Sequence, residues 1–170
     1  RLNKKEALKN YGHISNWNTI LITDMSYLFN CETNSNLVEC ELCHNTIEEF
    51  NRLQKYNDIL RLFDEDISNW NVSNVTNMSH MFRQNFIFNQ SLEKWNVSNV
   101  KYMRGTFCYA KRFNFSLNNW DVSNVKDMSC MFNGSHNFNQ PINNWNTKNL
   151  NDISEMFCNA EIFNQNLNNW

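Results

Sequence analysis

Glycine and proline are scarce, at 3 and 1 in 170 residues, where ordinary usage would give about 12 and 8. Collagen-like, proline-rich and glycine-rich low-complexity readings are therefore excluded. Long apolar runs are missing as well: mean hydropathy is −0.65, and nothing approaches the about 18 consecutive apolar residues of a spanning helix. An excess of one charge is also absent. The net charge is −2 and the pI about 6.1, so there is no electrostatic footprint for nucleic acid or an anionic membrane. Asparagine takes up much of the space, with 35 residues. With 41% hydrophobic and 14% aromatic residues the chain can still bury a sizeable core. The sequence starts at Arg1 and stops at Trp170, which reads as a fragment and leaves leader and anchor segments open.

Tryptophans at 17, 70, 95, 120, 145 and 170 set the frame. The last five are 25 apart, and the first gap of 53 is one such step plus 28. Other apolar residues keep the same step: Met25, Met78, Met103 and Met128; Phe29, Phe82, Phe107, Phe132 and Phe157; Phe63, Phe88, Phe113, Phe138 and Phe163. A fixed period of this length marks a repeat architecture. Within one unit, Leu92, Trp95 and Val97 resemble an L-x-x-L-x-L strand, while Val100, Met103 and Phe107 step by three and four like one helical face. Ser73, Ser98 and Ser123 stand where helix N-caps would. The expected fold class is α/β, a leucine-rich-repeat-like solenoid of strand–turn–short helix units, with a β-solenoid of little helix as the alternative.

The expected division is one repeat domain over 1–170: an N-terminal helical cap at 1–13, a first unit at 14–29, a helical insertion at 30–59, and regular repeats over 60–170. The cap helix is predicted over 3–11, with Gly12 just past its end. Thr46 and Glu49 have capping-box spacing, and Ile47, Phe50, Leu53, Leu60 and Phe63 share a helical face, so a second helix is expected at about 46–62. The insertion packs on the flank of the array or forms its distinctive recognition element. Asn89, Asn114, Asn139 and Asn164 each follow a Phe, and their amides can bond neighbours from unit to unit as a structural ladder beside Trp70, Trp95, Trp120 and Trp145.

The string Trp95-Asn-Val-Ser-Asn-Val100, with Met78-Ser-His-Met-Phe82 and Phe88-Asn-Gln90, and most fully Trp120-Asp-Val-Ser-Asn-Val125 with Met128-Ser-Cys-Met-Phe132, resembles the repeat of BspA-like leucine-rich-repeat surface proteins. Residues 60–170 carry the resemblance well and 14–29 in part. It implies a leucine-rich-repeat-like solenoid, surface-exposed adhesion to host or partner proteins, and no catalytic residues to carry over.

Enzymatic motifs do not appear. His13, His44, His80 and His136 are scattered, and Asp64, Glu65 and Asp66 read as a solvated turn. There is no dinucleotide, phosphate-loop or metalloprotease string. Cys31, Cys40, Cys43 and His44 have a spacing that tempts a zinc reading, but adjacent Cys43 and His44 fit one tetrahedral centre poorly. A disulfide or free thiols remain, and no metal or cofactor is expected. Cys108, Cys130 and Cys158 read as small buried hydrophobes. The exposed strand positions Glu93, Lys94, Asn96, Asn118, Asn119, Asp121, Asn143, Asn144 and Asn146 form a polar face without a nucleophile.

The functional expectation is a non-catalytic scaffold making protein–protein or adhesive contacts through that face. A stacking or spacer module of a surface layer or virion, with end-to-end self-association, is the alternative, and carbohydrate binding a third. Neither nucleic acid nor a membrane span is expected. Seven N-x-S/T sequons, two of them on the ladder residues Asn89 and Asn114, argue against N-glycosylating secretion. A cell surface or virion is favoured over the cytoplasm.

Overall fold

Tight turns, rather than strands and helices, are what the three-residue apolar spacing builds. In the computed structural model, described over residues 4–31 and 62–170, Trp95 N–H donates to Leu92 O at 3.0 Å, Val100 to Val97 at 2.9 Å, and Thr106 to Met103 at 3.2 Å. Each bond spans three residues, which closes a β-turn and not the four-residue step of an α-helix. The same turns recur at Leu117–Trp120, Val122–Val125 and Met128–Met131, and at Ile142–Trp145. Apolar residues thus occupy the corners of successive turns, all pointing to one interior.

The α/β expectation is overturned on this point. Among the described residues the regular structure is one helix, α1 (Lys4–Tyr11), and one 3-10 turn, Ile14–Asn16. No sheet forms there. Single parallel bridges link Asp24, Asn77, Tyr102, Asp127 and Asp152 in sequence. The predicted strand around 92–97 is turn and irregular backbone, and the predicted helical face of Val100, Met103 and Phe107 is not helical. The strand-rich alternative finds no sheet either. A three-residue spacing serves a helix face and a chain of i to i+3 turns equally well, and hydropathy alone does not separate them.

Backbone torsion explains why the bridges do not lengthen into strands. Residues ten past each of the first five Trp, and fourteen past Trp70, Trp95, Trp120 and Trp145, are left-handed: Tyr27, His80, Gly105, Cys130 and Glu155 in one row, and Gln84, Tyr109, Gly134 and Asn159 in the other. Regular strands need φ near −120° throughout, so a left-handed residue every few positions interrupts them. Between these kinks alternate N–H groups still reach the next coil. Met103 donates to Asp127, Gly105 to Ser129, Phe107 to Met131 and Tyr109 to Asn133, at 2.7–3.0 Å. The preceding coil does the same from Met78, His80, Phe82 and Gln84.

Glycine fills only two of the nine left-handed positions in these two rows, and sterics account for both. A Cβ on Gly105 would lie 2.6 Å from Nδ1 of His80, and one on Gly134 would lie 2.5 Å from Cδ1 of Tyr109. The ring of one coil occupies the space that a side chain on the next would need.

The interior consists of aligned columns. Phe29, Phe82, Phe107, Phe132 and Phe157 stack at centroid separations of 5.5–5.8 Å. Phe63, Phe88, Phe113, Phe138 and Phe163 form a second column at 5.9–6.1 Å. Partners across the two columns lie 3.9–4.2 Å apart with nearly parallel rings. Parallel rings at the longer separation must be slipped sideways, the offset arrangement favoured by the ring quadrupole, and each pair adds about 0.5–1.5 kcal/mol beyond burial. Phe82, Phe88, Phe107, Phe113, Phe132 and Phe138 are fully buried.

Candidate interaction surface

The tryptophans anchor one coil to the one before it. Trp95 Nε1 donates to Ile67 O at 3.1 Å, Trp120 to Leu92 at 3.0 Å and Trp145 to Leu117 at 2.9 Å. Trp70 reaches Ile14 O at 2.8 Å across the insertion. Trp70, Trp95, Trp120 and Trp145 are all buried, whereas Trp17 is exposed. Each indole therefore meets its single donor requirement inside an apolar setting.

Asn89, Asn114, Asn139 and Asn164 connect the coils on another side. Asn89 Oδ1 accepts from Asn114 N–H at 3.1 Å, Asn114 Oδ1 from Asn139 at 2.9 Å, and Asn139 Oδ1 from Asn164 at 2.9 Å. Asp64 takes the same role for Asn89 at 2.8 Å. The contacts run from amide oxygen to backbone rather than amide to amide. Gln140 and Gln165 add side-chain bonds to Asn114 and Asn139. A further asparagine row was not singled out by sequence: Asn74, Asn99, Asn124 and Asn149 each donate from Nδ2 to a carbonyl of the preceding coil at 2.7–2.8 Å. Its signal is the second Asn of the W-N-V-S-N-V string, which recurs with the 25-residue step.

The serines act in the opposite sense to the N-cap expectation. Ser98 donates from both N–H and Oγ to Asn96 Oδ1, and Ser73 does so to Asn71. Ser123 N–H donates to Asp121 Oδ1. These are Asx-turns, in which the Asn or Asp side chain replaces a backbone acceptor. They also show what replaces glycine and proline as turn formers. Two donors from Ser26 hold Asp24 below its ordinary carboxylate value, the hydroxyl first and the N–H second. Ser123 does the same for Asp121 and Ser154 for Asp152, while Asp66 is lowered first by the Ser68 N–H.

The flank selected from sequence is partly occupied by such internal bonds. Glu93, Lys94, Asn96, Asn119, Asp121, Asn144 and Asn146 are exposed, and Asn118 and Asn143 are half-buried. Asn119 Nδ2 donates to Glu93 Oε1 at 2.8 Å, and Asn118 Oδ1 accepts from Asn144 N–H at 3.1 Å. Asn146 Oδ1 accepts from Lys148 N–H, and Asn143 O from Asn169. Adjacent coils tie these residues together on the flank; the Lys94 and Asn144 side chains lie outside the bonds just described, while Asn119 commits its Nδ2 to Glu93 and keeps only its Oδ1 outside them.

The cysteines divide. Cys31 and Cys108 are buried, Cys130 is half-buried and Cys158 is exposed. The reading of Cys108, Cys130 and Cys158 as uniformly buried is corrected for the last two. Cys31 Sγ donates to Phe29 O at 3.3 Å. Burial, and then Glu155, raise the Cys130 thiol above its ordinary value. Among the described residues no group of three His, Cys, Asp or Glu side chains could hold a metal ion. Cys40, Cys43, His44 and the helix expected at 46–62 lie outside the described residues.

The repeat on which these rows depend also recurs in other proteins. Residues 2–89, and again 48–170, match the family described as Mycoplasma protein of unknown function, DUF285. The chain belongs to the DUF285 family. Two overlapping DUF285 matches are what a family defined by a repeated motif gives on a chain that carries the motif several times. No curated protein and no solved structure matches the chain. Among the described residues of this DUF285 member, no helix is long and apolar enough to cross a membrane.

Proposed function

We propose that the chain is a non-catalytic repeat scaffold that makes protein–protein or adhesive contacts through the Asn-rich flank carrying Lys94, Asn119 and Asn144. The observation that carries this reading is the fixed register of the flank. Glu93 and Asn119, Asn118 and Asn144, and Asn143 and Asn169 are tied across adjacent coils. A partner therefore meets polar groups whose ordering cost is largely met in the free protein, which favours affinity through preorganisation. The resemblance of the motif to BspA-like surface proteins supports contact at a cell surface. The commitment of many flank amides to internal bonds favours a protein partner over a glycan, which would need those amides free.

Beads coated with the chain should adhere to epithelial cell monolayers. Adhesion should fall at least several-fold with the triple variant Lys94→Glu, Asn119→Arg, Asn144→Arg, and persist with Lys101→Glu, Lys126→Glu on another side. Equal adhesion by the flank variant and the parent would contradict the proposal.

A further inference from the structure

The coil that begins at Trp95 breaks the pattern of its neighbours on its outward side. Residues 95–119 hold Lys101, Arg104, Lys111 and Arg112 and no carboxylate, in a chain of net charge −2. In the coils around it the residues seven and nine past Trp form an Asx-turn. Ser26 N–H donates to Asp24 Oδ1, Ser79 to Asn77, Ser129 to Asp127 and Ser154 to Asp152, at 2.7–3.0 Å. Here the pair is Tyr102 and Arg104, which cannot make that bond. Tyr102 is 45% exposed, whereas Asn77 and Asp127 in the same row are half-buried. A repeat gives up a stabilising turn for an exposed ring and a cation where a site requires them. Described coils lie on both sides of this coil and of the next, so these exposures belong to the interior of the array.

The neighbouring rows match this coil. Six past Trp stand Thr23, Thr76, Lys101, Lys126 and Asn151, and each N–H from Thr76 onward donates to the carbonyl of the one before at 2.8–2.9 Å. Lys101 and Lys126 are exposed and lie one over the other at the spacing of paired backbones, about 4.8 Å. Like charges so placed repel, and among the described residues neither lysine nor Arg104 has a carboxylate within ion-pair distance. Arg104 Nη1 donates to Ser129 Oγ at 3.1 Å, which carries the guanidinium towards the coil of Lys126. Two residues before the lysine row, the exposed Asn74, Asn99, Asn124 and Asn149 spend Nδ2 on the preceding coil. Their Oδ1 atoms accept no bond among the described residues.

We propose that this face binds a linear anionic polysaccharide lying across the coils along Thr76, Lys101, Lys126 and Asn151. Its sulfates or carboxylates pair with Lys101, Lys126 and Arg104, a sugar ring covers Tyr102, and hydroxyls donate to Oδ1 of Asn99 and Asn124. An extended peptide cannot join as a further strand, because the backbone here is spent between coils: Met78 N–H donates to Tyr102 O and Met103 to Asp127. Asp127 and Asp152 continue the Tyr102 row and repel a flat anionic bilayer, whereas a single sugar chain passes beside them. The site is separate from the Asn-rich flank, so either proposal can fail without the other. Exposed ion pairs are individually weak, so cell adhesion through the flank persists without these lysines.

The probes are a heparin hexasaccharide and hexagalacturonate, added at millimolar concentration to the 170-residue protein while backbone amide shifts are followed by nuclear magnetic resonance. At least one should move the amides of Asn99, Lys101, Tyr102, Arg104, Asn124 and Lys126 saturably, and the tighter binder tells sulfate from carboxylate as the preferred anion. Lys101→Gln, Lys126→Gln should raise the Kd roughly five- to tenfold. The Lys94→Glu, Asn119→Arg, Asn144→Arg protein should bind as the parent does. Tyr102→Asn, Arg104→Ser restores the turn of the neighbouring coils, so it should weaken binding several-fold while the urea midpoint falls no lower than the parent's. No saturable shift with either sugar, or undiminished binding by the Lys101→Gln, Lys126→Gln protein, would overturn the proposal. So would equal affinity for hexaglutamate or for phosphatidylserine vesicles.

Discussion

Trp120 offers a graded test of the packing. Its indole is 3% exposed, lies 6.3 Å from the Phe107 ring and donates to Leu92 O at 3.0 Å. Removing the ring in Trp120→Ala should cost about 3–5 kcal/mol as lost burial and cavity; the Leu92 carbonyl keeps the Trp95 N–H as a donor, so the lost hydrogen bond adds only about 0.5–1.5 kcal/mol. Trp120→Phe keeps most apolar contact and loses the same hydrogen bond, so it should cost about 1–2 kcal/mol. Asn119→Ala, next to it on the exposed side, should change stability by no more than about 0.5 kcal/mol. Urea unfolding followed by far-UV circular dichroism reads the midpoints, with an unchanged m-value showing that stability rather than compactness has shifted. Equal losses at Trp120 and Asn119, or a Trp120→Phe variant as damaged as Trp120→Ala, would refute the assignment of ring to interior and indole N–H to the preceding coil.

Other substitutions test the turns and ladders. Gly105→Ala forces a Cβ against the His80 ring and puts a side chain on a left-handed residue, and should destabilise by about 2–4 kcal/mol in the same unfolding assay. Asn139→Ala frees the N–H of Asn164, so it should cost about 1 kcal/mol and speed amide exchange at Asn164. Acid should weaken the fold: Asp24, Asp66, Asp121 and Asp152 are lowered from 3.8 by serine donors. Their stabilisation is complete above that value and is lost as pH falls through the lowered folded values. Asp121→Asn should leave the urea midpoint at neutral pH nearly unchanged, because Asn96 and Asn146 form the same turn with a neutral amide, and should reduce the drop in midpoint between neutral pH and about pH 3.

The sequence showed the step between coils and the identity of the buried columns, because Trp and Phe of like position recur where like packing is needed. It did not show the local backbone. Leu92 to Trp95 and Val97 to Val100 have the three-residue spacing of a helix face, yet the N–H of each fourth residue closes a turn. The left-handed rows were hidden for a related reason. Glycine usually marks such positions, and here His80, Cys130, Glu155 and Tyr109 occupy them with glycine only where a ring intrudes. The Ser of W-N-V-S stands where a cap acceptor would, whereas in the structure Ser98 is the donor and Asn96 the acceptor. On the flank, residue types alone did not show that Asn118 and Asn119 are engaged across coils. The exposure of Ile153 likewise follows from its place in the last described coil, not from its hydropathy.

The central claim is that residues 25 apart lie directly over one another through the middle of the chain. Nuclear Overhauser contacts on uniformly labelled protein test it most directly. Cross-peaks are expected from the Phe107 amide proton to Met131 and Phe132, from Met103 to Asp127, and from Asn114 to the Asn89 side chain. A spectrum in which these amides contact only residues within a few positions in sequence would contradict it.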